Sequence, residues 1–146
     1  MAISPAALAH IREAVTSPTV EVGGILIGSY RDRCIDVAAA VSAEPTSVGA
    51  THYVRSQRRA QQALDLALKE SGELLHGYVG EWHSHPGSTR PSWTDRRQMI
   101  RFSARCPEPI VLLIVSTTKR TLSKWSVHVY ERRRRLTTNA ATGVPS

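Results

Sequence analysis

The sequence predicts an α/β domain, or an α+β domain, built in layers of sheet and helix. Three observations indicate this class. Segments with strand character alternate with amphipathic helical segments, turn residues separate them, and 146 residues with 41% hydrophobic content suit one ordinary core. We expect a single domain over residues 1–131, followed by a basic and flexible tail over residues 132–146.

The N-terminal third predicts a helix and a pair of strands. Ser4 is suited to an N-cap and Pro5 to the first helical position, where the missing N–H is not needed, so a helix should run to about Val15. Residues 20–29 are apolar, β-branched and interrupted by glycine, which favours a buried strand over a helix. Residues 35–41 predict its partner, joined by a short turn.

A loop and a second helix follow. Residues 42–51 are rich in Ser, Pro, Thr and Gly, which predicts a loop. The apolar residues of the next segment trace one face of a helix: Ala60, Ala63, Leu64, Ala67 and Leu68. Ser71 and Gly72 should end this helix.

The segment from Tyr78 to His85 predicts a strand that stops at Pro86, since proline cannot donate to a ladder. Side chains two apart share a face of a strand. One face should therefore carry Val79, Glu81, His83 and His85. The opposite face should carry Tyr78, Gly80, Trp82 and Ser84.

The C-terminal part predicts one more helix and two more strands. Residues 87–91 predict a loop, after which Ser92 or Thr94 can cap a helix running to about Ala104. Alternation predicts strands at residues 110–116 and 125–130. We expect no regular structure after residue 131.

Positive charge is concentrated in the second half of the chain. The formal net charge is +7, and residues 96–135 hold eleven Lys or Arg against two Glu. Such a surface can attract nucleic acid or an acidic protein. Because aromatic residues that could stack on bases are not interleaved with the arginines, we interpret it as a solvated face and expect no nucleic-acid partner.

Composition also indicates the compartment. Cys34 and Cys106 lie far apart and in no CxxC arrangement, so neither a disulfide framework nor a thiolate zinc site is predicted. The N-terminal residues lack the features of a secretory signal, and no segment approaches about 20 uninterrupted apolar residues. We therefore expect a cytoplasmic protein with no membrane association.

The chemistry is concentrated around His83 and His85. Two histidines at i and i+2 on a strand project from the same face and can bind one metal ion. Asp95 falls in the first turn of the next helix and shares its inward face with Met99 and Phe102. Two imidazoles and one carboxylate leave a fourth position for water, which is typical of a catalytic zinc site and predicts one Zn²⁺.

Two further side chains can take part in a hydrolytic reaction. Glu21 is an ionisable residue at the start of an apolar strand, which favours a role as general base beside His83. Glu81 is the alternative base, or else a partner of the histidines. Ser92 can donate its hydroxyl to an oxyanion, although it can also be a simple helix cap. The other histidines have no ligand-spaced companions and are interpreted as surface or packing residues: His10, His52, His76 and His128.

These residues resemble the JAMM, or MPN+, family of zinc metalloproteases. Its pattern is a distant Glu, then His-x-His-Pro, then Ser-x-x-Asp. The likeness extends over residues 20–130 and includes a Glu-x-Gly-Gly-x-Leu-x-Gly run at residues 21–28 and Gly-Glu-Trp-His-Ser-His-Pro at residues 80–86. Nine residues separate His85 from Asp95, one fewer than in many eukaryotic members, so the intervening loop should differ in shape.

The resemblance implies a JAB/MPN-like fold with a central mixed sheet flanked by helices, similar to the cytidine-deaminase architecture. It assigns zinc binding to His83, His85 and Asp95, acid–base catalysis to Glu21 and oxyanion stabilisation to Ser92. It also implies an isopeptidase or peptidase acting on a ubiquitin-like protein or its conjugate.

Small bacterial-type members are the most similar in kind. Those are associated with ubiquitin-like conjugation in antiphage defence, alongside activating (E1-like) and conjugating (E2-like) proteins, or with trimming of sulfur-carrier proteins. Conjugate removal, precursor maturation and sulfur-carrier trimming all remain open from the sequence. A non-catalytic interaction module of the MPN type is a further alternative, although such modules generally lack the metal ligands.

Overall fold

The structure is a computed structural model that describes residues 1–15, 20–32, 34–43, 57–72, 76–118 and 121–142. The helices are α1 (Pro5–Ala14), α2 (Gln57–Ser71) and α3 (Trp93–Ser103). The strands are β1 (Ala2–Ile3), β2 (Gly23–Arg31), β3 (Cys34–Ser42), β4 (Gly77–Pro86), β5 (Ile110–Thr118), β6 (Thr121–Glu131) and β7 (Arg134–Thr142).

All these strands form one sheet in the order β1-β3-β2-β4-β5-β6-β7. The pairs β1/β3 and β4/β5 are parallel, and the other neighbours are antiparallel. The predicted layered domain with a central mixed sheet is therefore confirmed. β4 lies in the middle of the sheet, and its residues from Val79 to His85 are buried.

The helices cover both faces of the sheet. On one face, Ile11 of α1 packs with Leu26 and Trp82 in the largest apolar cluster. On the other face, α2 covers the β2 side through Ala60, and α3 covers the β5 and β6 side through Met99. The face that carries α2 and α3 is also the face of the predicted metal ligands.

Local signals in the sequence account for the helix boundaries. The Ser4 hydroxyl accepts a hydrogen bond from the Ala7 N–H at 3.1 Å and caps α1. α2 ends at Ser71, before Gly72 with a positive φ of 62°. Ser92, rather than Thr94, caps α3. Residues 44–51 of the predicted loop lie outside the described residues.

The predicted face assignment of β4 is wrong at its first residues. The pairing with β2 places Leu26 opposite Gly80 but Ile27 opposite Tyr78, so Val79 is the extra residue of a bulge. Gly80 has a φ of 157°, and a Cβ there would collide with the carbonyl oxygen of Val111. Val79 therefore packs on the α1 side, whereas the Tyr78 hydroxyl reaches the face of the histidines.

The prediction for the C-terminal residues is also wrong, at least to residue 142. Residues 132–142 do not form a loose tail, because β7 pairs with β6 from Glu131 opposite Arg134 to Lys124 opposite Thr142. The sequence lacks the apolar alternation that indicates a strand because β7 is the last strand of the sheet, where basic residues are common. Residues 143–146 lie outside the described residues.

No helix in the described part of the chain combines the length and the apolar character that a membrane crossing requires.

Candidate metal centre

The two histidines at the end of β4 lie side by side in the protein. Both His83 and His85 are buried, and their ring centroids are 4.7 Å apart. The strand period of two places them on one face, as predicted, because the bulge of β4 lies before them.

Asp95 reaches the histidines from the first turn of α3. Its carboxylate oxygen Oδ1 lies 3.5 Å from His83 Nε2, and Oδ2 lies 3.4 Å from His85 Nε2. Oδ2 also accepts a hydrogen bond from the backbone N–H of Ser92 at 2.6 Å. Asp95 shares the inward face of α3 with Met99, which is buried, so the predicted orientation of the carboxylate is confirmed.

The donor atoms fit a metal ion. His83, His85 and Asp95 each offer one ligand atom, and these atoms all lie within 4.8 Å of one another. Two nitrogen or oxygen ligands of a tetrahedral zinc ion, each about 2.0–2.2 Å from it, lie roughly 3.3–3.6 Å apart. The distances between Asp95 and the two histidines match this spacing. These three residues could therefore hold one metal ion.

The electrostatics of the cluster favour an ionised carboxylate. Burial alone would raise the pKa of Asp95, but hydrogen bonds with His83 and His85, and the charge of His83, outweigh it and hold that pKa well below its usual range. Burial would lower the pKa of His85, but its hydrogen bond with Asp95 and the charge of Asp95 raise it overall. Asp95 is thus an anionic donor at neutral pH.

The sequence predicted Glu21 beside His83. In the structure it lies beside His85. Gly23 pairs with His83, and the Ser84 N–H donates to the Val22 carbonyl at 2.8 Å, so continuing this register puts Glu21 level with His85. The negative charge of Glu21 contributes to the raised pKa of His85. Glu21 is half-buried and lies two residues before the start of β2, outside the strand.

Ser92 lies at the surface next to Asp95. Its Oγ accepts a hydrogen bond from the Asp95 N–H at 3.1 Å, so Ser92 is the N-cap of α3. The oxyanion role of Ser92 stays a prediction. A serine hydroxyl has one proton to donate and two lone pairs to accept. Capping uses a lone pair, and the hydroxyl proton therefore stays available for a second partner.

Glu81 is buried beneath α3, with only 2% of its surface exposed. Its Oε1 accepts from the Tyr78 hydroxyl and its Oε2 from the Gln98 side-chain amide, each at 3.2 Å. A small cavity under α3 is lined by Glu81 together with His83 and Asp95. Because both carboxylate oxygens accept hydrogen bonds beneath α3, these contacts disfavour Glu81 as a base that meets substrate.

A second polar cluster, which the sequence did not predict, lies next to the site. Ser126 Oγ lies 2.7 Å from His128 Nε2, and both atoms contact the Thr89 carbonyl in the loop after β4. The sequence predicts an ordinary surface or packing histidine at His128 because it has no ligand-spaced companion, and the Thr89 carbonyl that it contacts is distant in sequence. Its signal was the alternation of Ser126, His128 and Tyr130 on one face of a strand.

The chain is similar to known proteins over most of its length. The family described as prokaryotic homologs of the JAB domain matches residues 4–128. A CD-NTase/cGAS isopeptidase of Enterobacter hormaechei subsp. hoffmannii is 35% identical over 115 residues, which cover 71% of this chain and 60% of that protein. The chain thus spans less than two thirds of the length of this relative.

A second relative is the probable metalloprotease y4qB of Sinorhizobium fredii, which is 32% identical over 114 residues covering 73% of this chain and 69% of that protein. Two solution structures share the fold. One, from Desulfitobacterium hafniense, has a TM-score of 0.59 at 20% identity and covers 92% of this chain and 82% of its own. The other, from Salinibacter ruber, has a TM-score of 0.57 at 23% identity and covers 99% and 89%.

Proposed function

The chain belongs to the family of prokaryotic JAB-domain homologs, and on this premise we propose that it is a zinc-dependent isopeptidase or peptidase. The bond it hydrolyses is the amide bond after the C-terminal tail of a ubiquitin-like protein. The observation that carries the proposal is the convergence of the ligand atoms of His83, His85 and Asp95 within 4.8 Å, with Glu21 alongside. The names of the relatives, an isopeptidase and a probable metalloprotease, support it.

His83, His85 and Asp95 bind the ion in this proposal. Two neutral imidazoles and one carboxylate leave a net positive charge at a zinc centre with an open fourth position. When bound, zinc supplies a Lewis acid that makes water acidic near neutral pH and polarises an amide carbonyl. Two imidazole donors and one carboxylate are also a typical ligand set of catalytic zinc sites, which supports zinc as the ion.

Glu21 moves the proton. Its carboxylate lies beside His85, where an oxygen can take the proton of the attacking water and later deliver it to the nitrogen of the departing amine. Because Glu21 is only half-buried and outside the strand, its side chain can follow the proton from one position to the other.

Ser92 holds the oxygen of the amide as negative charge develops there. Its Oγ already accepts from the Asp95 N–H, and its hydroxyl proton can be donated to the substrate oxygen. A donor in this role acts most strongly on the transition state and is typically worth about 2.7–4 kcal/mol.

Removal of conjugated ubiquitin-like protein is favoured over trimming of a precursor. The relative from Enterobacter hormaechei is named as an isopeptidase for CD-NTase/cGAS, which is consistent with a conjugate in an antiphage system that also includes E1-like and E2-like proteins. Precursor maturation and trimming of a sulfur-carrier protein use the same chemistry on a linear peptide bond and remain the second candidates.

The test uses a bacterial ubiquitin-like protein, prepared as an isopeptide conjugate and as a fusion with a short C-terminal extension. We expect the conjugate to release the ubiquitin-like protein with its C-terminal tail intact, which mass spectrometry identifies by its mass. The linear fusion should be cleaved more slowly. Cleavage of neither substrate by zinc-loaded protein would reject a peptidase and favour a non-catalytic module. Cleavage of the linear fusion alone would favour maturation.

A further inference from the structure

The outer face of α3 is basic and carries no acidic side chain. The one acidic residue of the helix, Asp95, is buried in the metal centre, whereas three arginines are exposed: Arg96, Arg97 and Arg101. Trp93, Arg97 and Arg101 follow one another at a spacing of i and i+4, so they form a row on one side of the helix. Two arginines at this spacing repel each other, and an ordinary solvated helix face mixes both signs of charge. The folding of α3 therefore gives no reason for this row.

The hairpin between β6 and β7 extends the basic face of α3. The Arg133 N–H donates to the Ser103 hydroxyl at the end of α3, at 3.0 Å. Arg135 pairs with Tyr130, which packs with Met99 beneath α3, so Arg135 lies on the same side of the sheet as α3. Helix and hairpin thus form one exposed surface, which we call the arginine surface: Arg96, Arg97, Arg101, Arg133 and Arg135, together with Trp93 and Ile100.

The turn of this hairpin also uses arginine against the local preference. Arg132 and Arg133 have positive φ angles of 44° and 70°, in a region that favours Gly, Asn and Asp. Arginine gives such a turn no conformational advantage. The turn, like the row on α3, therefore indicates a use for positive charge outside folding.

The side chains among the arginines favour a protein partner over a nucleic acid. Trp93 is 71% exposed and Ile100 is 36% exposed, and the Arg97 guanidinium lies 5.1 Å from the centroid of the Trp93 ring. Arginine and tryptophan are enriched at protein interfaces and carry much of the binding energy there. Surfaces that bind single-stranded nucleic acid present several aromatic rings for stacking, whereas Trp93 is the one exposed aromatic residue of α3. The positive charge then selects a partner with an acidic surface.

We propose that the arginine surface binds an acidic face of the ubiquitin-like protein whose tail enters the metal centre. The surface begins beside that centre, because Asp95 faces the histidines and Arg97, in the next turn of the same helix, faces solvent. The row from Trp93 to Arg101 is about 12 Å long, and an extended tail of about five residues spans roughly 17 Å, so a protein bound there can reach the ligands. The identity of the bound protein as substrate rests on the proposed function, whereas its attraction to the arginines does not.

The test measures binding of a fluorescently labelled, unconjugated bacterial ubiquitin-like protein of negative net charge to the full chain, by fluorescence anisotropy. We expect the affinity to fall steadily with added salt. Arg97→Glu combined with Arg101→Glu should weaken binding at least about 10-fold, because two attractions become repulsions. The matched control is Arg58→Glu combined with Lys69→Glu, which makes the same change of net charge at exposed positions of α2 and should bind like the wild type. Equal weakening by both pairs would overturn the proposal, because net charge alone would then explain the binding.

Two other probes decide the chemistry of the partner. The same ubiquitin-like protein with its exposed Asp and Glu changed to Asn and Gln should bind at least about 10-fold more weakly. A short DNA duplex is the competing probe, compared at about 0.15 M salt because any cationic surface attracts DNA at low salt. Tighter binding of the duplex than of the acidic protein, or undiminished binding of the neutral protein, would overturn the proposal.

Arg133→Gly separates binding from folding. Glycine suits the positive φ of this position and keeps the backbone hydrogen bond to Ser103, so the variant should unfold at the same temperature as the wild type or higher. It should nevertheless bind the acidic protein roughly 2- to 5-fold more weakly, as expected for the loss of one exposed charge pair. Affinity equal to that of the wild type would contradict the proposal.

Cleavage of the conjugate, measured on the same variants, separates this proposal from the proposed function. Zinc-loaded protein that binds the acidic protein but cleaves no conjugate would reject the proposed function, while the binding surface stands. Cleavage with an unchanged KM after Arg97→Glu and Arg101→Glu would keep the proposed function and reject the arginine surface.

Discussion

Ser92 and Asp95 hold each other at the start of α3. The Ser92 Oγ accepts from the Asp95 N–H at 3.1 Å, and Asp95 Oδ2 accepts from the Ser92 N–H at 2.6 Å. The same Oδ2 lies 3.4 Å from His85 Nε2. The capping box of the helix thus also sets the orientation of the carboxylate toward the histidines. One local motif therefore positions both the acidic donor of the metal centre and the serine beside it.

Ser92→Ala is expected to reduce kcat by about 10²–10³, because a donor to the developing oxyanion is lost. Loss of the cap should also destabilise the fold by about 1 kcal/mol. Initial rates and chemical denaturation measure the two effects separately.

Ser4→Ala is the matched control, since Ser4 caps α1 far along the chain from the site. It should lower stability and leave kcat unchanged. If the two variants lose activity in proportion to stability, Ser92 is only a cap.

Glu21→Ala is expected to abolish cleavage while the protein still binds zinc, because Glu21 is proposed to transfer protons and not to hold the ion. Zinc content by mass spectrometry and cleavage of the conjugate by gel are measured on the same preparation. Glu13→Ala, at a surface position on α1, serves as a control that removes a carboxylate away from the site. Loss of zinc from Glu21→Ala would mean that Glu21 is a metal ligand and not the group that transfers protons.

Replacement of a metal ligand, unlike Glu21→Ala, should remove the zinc as well as the activity. Variants of His83, His85 or Asp95 to Ala should lose zinc and activity together, by more than the roughly 10–100-fold that substitution of an orienting group costs. Chelator should inactivate the wild type, and added zinc should restore it. His76→Ala, which changes a half-buried histidine just before β4, should keep both properties. Full turnover by metal-free protein is the outcome that excludes a metal mechanism.

The elements that the sequence predicted well are those with local determinants. The Ser4-Pro5 start of α1 and the Ser92 cap of α3 depend on a few adjacent residues, and so does the His83 and His85 spacing. The bulge at Val79 has no such determinant, because it depends on how Gly80 approaches Val111 in the neighbouring strand. A period of two assumes an uninterrupted ladder, and one extra residue reverses the faces on one side of it.

The parts that the sequence did not predict depend on contacts between distant segments. β7 has the composition of a charged tail, and it is a strand because β6 offers it an edge. His128 becomes part of the site's surroundings only because β6 passes beneath the loop that contains Thr89, 39 residues earlier in the chain. The position of Glu21 depends on the register between β2 and β4, which the sequence does not specify, so Glu21 was expected beside His83 and lies level with His85.

Trp93 is expected to contact the protein substrate. It follows Ser92 directly, it is 71% exposed, and the Arg97 guanidinium lies 5.1 Å from its ring centroid. An exposed tryptophan of this kind commonly contributes more than 1 kcal/mol at an interface. Trp93→Ala should raise KM for the protein conjugate on the order of 10-fold without changing cleavage of a short peptide with the tail sequence.

Leu66→Ala on α2 provides the comparison for Trp93, because Leu66 is also a large exposed apolar residue, at 61%. It should leave both substrates unaffected. If Trp93→Ala raised KM equally for the short peptide, Trp93 would contact the tail next to the scissile bond and not the folded part of the substrate protein.

The stability of the metal-free protein should fall in mild acid partly because of His128. Burial lowers the pKa of His128, the Thr89 hydrogen bond opposes this, and the positive charge of Arg135 adds to the lowering. The unfolded chain takes up a proton below its ordinary pKa of about 6.5, whereas folded His128 stays neutral to lower pH. Stability is therefore lost as pH falls from the ordinary histidine pKa toward the lower pKa of folded His128. Above the ordinary pKa, His128 contributes no pH dependence.

His128→Gln isolates this contribution, because glutamine keeps a hydrogen-bond donor and does not titrate. Denaturant unfolding between pH 8 and about 5.5 should show a steeper loss of stability for the wild type than for His128→Gln, and the two curves should run parallel above about pH 7.5. The acid effects of Asp95 and His85 are common to both proteins and cancel in the difference. Parallel curves throughout would mean that folded His128 accepts its proton as readily as the unfolded chain does, despite its buried contact with Ser126.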